Sequence, residues 1–163
     1  MRENIENACY VNHLVAEHRR VHKMLKQTRA AIVRSVQPDN RPSFTSIAAV
    51  LNKLRQELSA HFHEEEEGGC LEEAVTLCPS LTVEEHRIKA EHSELLAELD
   101  GLMGECESEQ PTAQNQHAIQ VRFDGWYQRL LAHETAENRL VSQAFGTVAN
   151  GVDKADTPLI YDV

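Results

Sequence analysis

Two spacings in this sequence could do chemistry together: His61 is followed by Glu65, and His133 by Glu137. Positions four apart on an α-helix share a face and lie one turn, about 6 Å, from each other. One such pair can therefore offer a nitrogen to one metal ion and a carboxylate that reaches a second. His18 and His92 add two further imidazoles. Imidazole combined with carboxylate suits iron or manganese, while four cysteines without a zinc-finger spacing argue against a structural zinc site. A single HxxxE is a weak signal, because such pairs are common on solvated helices. The positions of all six residues within their helices decide whether they act as a set.

Three clusters of helix-breaking residues, at Pro38–Pro42, at Gly68, Gly69, Pro79 and Ser80, and at Glu109–Pro111, divide the chain into four long segments. These segments, residues 8–36, 44–67, 83–105 and 114–146, are rich in good helix formers and lack β-type alternation. Thr82 and Glu85 have the spacing of a capping box at the start of the third. Short links predict an all-α, antiparallel up-down-up-down four-helix bundle.

Seams traced at alternating steps of three and four run Val11, Leu14, His18, Val21, Leu25, Thr28, Ile32 in the first helix and Ile47, Leu51, Leu54, Leu58, His61, Glu65 in the second. The third gives Glu85, Ile88, His92, Leu95, Leu99, Leu102, and the fourth Phe123, Trp126, Leu130, His133, Glu137, Leu140, Ala144. Folded antiparallel, they bring His18, His61, His92 and His133 into one layer. Glu65 and Glu137 then enter the adjacent layer with Leu14 and Ile88, and Val21, Leu58, Leu95 and Leu130 form the aliphatic layer on the other side. Ionised carboxylates in a core cost several kcal/mol unless paired or bound to metal, and six such ligands fit two metals better than one.

The stretch HFHEEEEGG at 61–69 is thereby divided. His61 and Glu65 face the core, His63, Glu64 and Glu67 form a solvated helix end, and Glu66 is a candidate to support a neighbouring ligand. Glu134 is expected about 100° away from the seam that holds Glu137. His13 and His117 are expected at the surface, Tyr127 in packing, and Cys70 and Cys78 as inert thiols near the site end.

Length and composition bound the rest. The 163 residues, 41% hydrophobic, suit one domain, with the bundle over 1–147 and a tail over 148–163. A net charge of −10 disfavours nucleic acid as a partner. No run has the apolar length of a signal peptide or membrane span, so a soluble, cytoplasmic protein with reduced thiols is expected.

The motifs AEHRRVH (16–22), HFHEEEEGG (61–69), AEHSELL (90–96) and HETAEN (133–138) resemble those of the hemerythrin-like, or HHE cation-binding, family over nearly the whole chain. The resemblance implies two iron ions bridged by Glu65 and Glu137 and an oxo or hydroxo group, with His18, His61, His92 and His133 as terminal ligands. Oxygen-carrying members have five histidines, with HxxxH in the third helix and HxxxxD in the fourth. Here His86 and His92 are six apart and point about 120° apart, so His92 is taken as the ligand, and a fifth histidine is either His22, one turn after His18, or His86. The pattern is closer to four-histidine, two-glutamate bacterial variants. The expected function is a non-haem di-iron protein that binds or senses dioxygen, another small diatomic, or redox or iron status. The alternative is a di-iron enzyme acting on peroxide or nitric oxide.

Overall fold

The apolar seams fold as helices along almost their whole length. A computed structural model of the chain describes residues 2–35, 44–67, 69–108 and 112–146, with side chains described from residue 12 onward apart from that of 108. It contains α1 (Arg2–Ser35), α2 (Phe44–Glu66), α3 (Cys70–Leu77), a 3-10 turn (Pro79–Leu81), α4 (Thr82–Ser108) and α5 (Ala113–Phe145). Among the described residues there is no strand, and no helix is long and apolar enough to cross a membrane. The chain is an all-α helical bundle. The side chain of Val11, the breaker cluster at 38–42, the link at 109–111 and the tail at 148–163 lie outside the described residues.

Helix ends follow local chemistry. Thr112 caps α5, its hydroxyl accepting from Asn115 N at 3.2 Å. Gly146 ends α5 at φ 60°, a conformation that a β-carbon resists. At α4 the expected capping box is replaced by a different device. The 3-10 turn runs directly into the helix, the Thr82 hydroxyl donates to the Pro79 carbonyl at 2.7 Å, and Glu85 pairs with Lys89.

The long helices meet in a ring, α1 with α2, α2 with α4, α4 with α5, and α5 with α1. Polar pairs mark the seams between them. Arg20 faces Glu57 and His13 faces Glu64 between α1 and α2; His92 faces Glu66 and Arg55 faces Asp100 between α2 and α4. Between α4 and α5, Glu91 faces His133 and Glu105 faces Arg122, while His22 faces Glu134 and Arg29 faces Asp124 between α1 and α5.

Nearly every seam residue is buried, Ala144 being half-buried. The core has two parts. The larger holds Val21, Leu25, Leu54, Leu58, Leu95, Leu99, Phe123, Trp126 and Leu130, where the Trp126 indole N–H donates to the Leu95 carbonyl at 3.0 Å. The smaller is built around α3, whose Cys70, Leu71 and Ala74 pack with Leu14, Ile88, Leu140, Val141 and Phe145. Each fully buried Leu, Ile or Phe contributes about 1.5–3 kcal/mol. Along α1, α4 and α5 the core histidine lies between residues of the two clusters, and on α2 His61 follows Leu58 of the larger one, so apolar packing holds a polar layer in place.

A candidate metal centre

From α1, α2 and α5, the side chains of His18, His61, Glu65 and Glu137 are all buried, and one ligand atom from each lies within 4.8 Å of all the others. His61 Nε2 is 2.9 Å from Glu65 Oε1, and His18 Nε2 is 3.3 Å from Glu137 Oε2 and 3.7 Å from Glu65 Oε1. Two donors bound to one first-row metal at about 2.1 Å, subtending 90–110°, lie about 3.0–3.4 Å apart. On the other side of the same carboxylate, Glu65 Oε2 is 3.5 Å from His92 Nε2. His92 and His133 stand beside the first group, with ring centroids 4.8 Å apart. The two oxygens of Glu65 thus face different histidines, the arrangement a bridging carboxylate needs.

These atoms are close without being hydrogen-bonded to one another. His18 Nε2, both oxygens of Glu65, Glu137 Oε2, His92 Nε2 and His133 Nε2 are all buried without an aligned hydrogen-bond partner. A buried polar group left unpaired costs about 1–3 kcal/mol, and more when charged. The close group of His18, His61, Glu65 and Glu137, with His92 Nε2 on the far oxygen of Glu65, is a donor set suited to a cation. The described residues therefore hold a buried His/Glu cluster that can bind metal.

The supporting carboxylates fix the rings. His92 Nδ1 donates to Glu66 Oε1 at 2.6 Å, and His133 Nδ1 donates to Glu91 Oε2 at 3.0 Å. An ionised carboxylate only accepts, so each neutral ring carries its proton on Nδ1 and turns the Nε2 lone pair inward. Phe62 fixes the same rings from the side, stacked on His92 at 4.0 Å and edge-on to His133 at 5.6 Å. Glu66, a candidate by its position, thus meets the ring of His92. Glu91 and Phe62 were missed because each lies off the seam of its helix, and only the facing helix shows which ring it meets.

Burial and charge oppose each other throughout the layer. Burial pulls the His18 imidazole pKa down, but the carboxylates of Glu137 and Glu65 outweigh it and hold it raised at about 10. Burial, with the Glu65 charge beside it, pushes Glu137 up to about 8. Burial also works against ionised Glu65, but His18 and His61 prevail and hold it below the usual carboxylate range. His92 is lowered, chiefly by burial.

Other residues fall where their surroundings dictate. His22, one turn along from His18, donates from Nε2 to Glu134 Oε2 at 2.5 Å. Glu134 is itself buried, at 3% exposure, rather than turned away from the core. The α1–α5 interface is wide enough to enclose a position flanking the seam, and His22 supplies the partner there. His86 lies at the surface beside Glu85, and His63 and Glu67 form the solvated pair expected of them. The Cys70 thiol on α3 lies 3.9 Å from Glu137 Oε1, and burial together with Glu137 and Glu65 raises its pKa far above the ordinary thiol value. That keeps it protonated and unreactive. A pocket of about 330 Å³ reaches inward to His61, Glu65 and Cys70 from a rim that includes His13, Glu17 and Glu64.

Compared with known protein families, with curated proteins and with solved structures, the chain matches none of them.

Proposed function

We propose that this chain is a hemerythrin-like, non-haem di-iron protein that binds or senses dioxygen or another small diatomic, or reports redox or iron status. The observation that carries the reading is that both oxygens of buried Glu65 lack a hydrogen-bond partner while His61 and His18 face one of them and His92 faces the other. His18 and His61 would hold one iron and His92 and His133 the other, with Glu65 and, as the resemblance implies, Glu137 as the carboxylates they share. The nitrogen and oxygen donor set favours iron or manganese. Bound there, the ions would supply redox chemistry and exchangeable positions for a small ligand.

The antiparallel up-down-up-down order belongs to the same reading. It is supported by partner numbers that fall on one helix as they rise on the next: His13 with Glu64 then Arg20 with Glu57, and Glu91 with His133 then Glu105 with Arg122. A cytoplasmic setting without nucleic-acid partners is supported by free thiols at Cys70, Cys78 and Cys106 and by the net charge of −10.

The chain's own residues favour binding over turnover. Val21, Leu58, Leu95 and Leu130 are all at most 2% exposed beneath the histidines, and Phe62 walls one side. Such a lining limits the water and protons that would discharge a bound oxygen ligand. One feature supports the alternative of an enzyme acting on peroxide or nitric oxide: the pocket that reaches His61 and Glu65 gives a small substrate a way in.

The test uses iron-loaded protein, reduced without air and then exposed to it. Binding or sensing predicts a slow, reversible change in the visible spectrum and negligible peroxide consumption with an electron donor. Leu95→Ala, which leaves a cavity and costs about 2–5 kcal/mol, should shorten the lifetime of that spectrum. Sustained consumption of peroxide or nitric oxide by wild type, without a lasting spectral change, would favour the enzyme.

A further inference from the structure

We propose that His13, Glu17 and Glu64 form a transit site, where a hydrated divalent cation binds at the pocket rim before passing to the buried centre. The inference rests on reading that centre as a metal site. One ligand atom from each of the three residues lies within 4.8 Å of the other two, and His13 Nε2 is 3.4 Å from Glu64 Oε2. All three line the pocket whose inner wall is His61, Glu65 and Cys70. Glu65 is the receiving group, since it lines the same pocket, is 4% exposed, and has no hydrogen-bond partner on either oxygen.

The sequence couples the two sites directly. Glu17 immediately precedes His18, and Glu64 immediately precedes Glu65. Neighbouring helical residues point about 100° apart, so each helix presents one donor to the rim and the next to the core. His13 stands one turn before Glu17 on the rim face of α1. The rim is graded as a transit site requires. His13 and Glu64 are exposed, so an ion can arrive with most of its water, while Glu17 is largely enclosed and meets it further in. Arg20, half-exposed and 2.7 Å from Glu17 Oε2, is the resident cation that the incoming ion displaces. An imidazole with two carboxylates takes a first-row divalent ion such as Fe2+, Mn2+ or Co2+, and no electron transfer is needed for the passage.

The experiment mixes metal-stripped full-length protein with Co2+ and follows visible Co2+ absorption with time, then counts the Co2+ retained. The double variant His13→Gln/Glu64→Gln should fill about 10-fold more slowly or worse, because the imidazole and the outer carboxylate of the rim are lost, yet reach the wild-type Co2+ content. Glu107→Gln removes one negative charge fifteen residues beyond His92 on α4 and should change the rate by less than about twofold, since screening cancels distant charges. Glu17→Gln gives a second, independent rim variant, and helical circular dichroism checks that each variant is folded. Equal filling rates for wild type and both rim variants would overturn the transit site while leaving the buried centre standing. A lower final Co2+ content in a folded rim variant would also overturn it, by making these residues part of the centre itself. Absence of Co2+ uptake by wild type would sink the metal-centre reading and this inference together.

Discussion

Glu66 and Glu91 each hold a histidine ring by its Nδ1 proton, and neither is placed as a metal ligand. Glu66→Gln and Glu91→Gln should therefore lower metal affinity by about 10- to 100-fold while leaving the number of bound ions unchanged at saturation. Competition with a chelator measures this, and unchanged affinity in both variants would show that the rings need no such support. The buried polar layer was legible in the sequence because His18, His61, Glu65, His92, His133 and Glu137 interrupt otherwise apolar seams. Their supports were harder to find. Glu66, Glu91 and Glu134 are glutamates on helices full of surface glutamates, and only the facing helix shows which one meets a histidine. His22 and Glu134 illustrate the point: each flanks its own seam, and burial of the pair arises from the α1–α5 contact rather than from either helix alone.

The four long helices could be traced because each repeats apolar residues at three- and four-residue steps over many turns. Helix α3 could not. Its eight residues, CLEEAVTL, are too few to display a period, and they lie among the glycines and proline that read as a link. Yet α3 closes the end of the bundle over Glu137, with Cys70, Leu71 and Ala74 buried. Gly69 makes this possible through close approach, since a β-carbon there would lie 2.8 Å from Glu65 Cα. Gly69→Ala must push α3 or the end of α2 aside, because the obstructing atoms are backbone. It should lower thermal stability by about 1–3 kcal/mol, as other overpacked sites do, and speed release of bound metal to a chelator. A variant with wild-type stability and release rate would show that α3 is not a fixed cover.

At the scale of the whole molecule, the polar layer sets how stability responds to pH. In metal-stripped protein the folded state holds protons that the unfolded chain gives up, on His18 with its pKa raised to about 10 and on Glu137 with its pKa raised to about 8. Stability from these groups is complete below their unfolded values and is lost as pH rises through the folded ones. Glu65 and His92, both lowered, act oppositely, but their windows close at the ordinary carboxylate value and at 6.5. The melting temperature of stripped protein should thus fall between pH 7 and pH 9, whereas the increase caused by added metal should grow, because metal binding takes up deprotonated ligands. A stripped-protein melting temperature that rises over this range would contradict that charge arrangement. Metal content tests the dinuclear centre most directly. Protein reconstituted with excess Fe2+ without air, desalted and analysed for iron per chain, should retain about two ions in wild type, with marked loss in Glu65→Ala, the shared carboxylate. One ion or none per folded wild-type chain, or full retention by Glu65→Ala, would contradict the dinuclear centre.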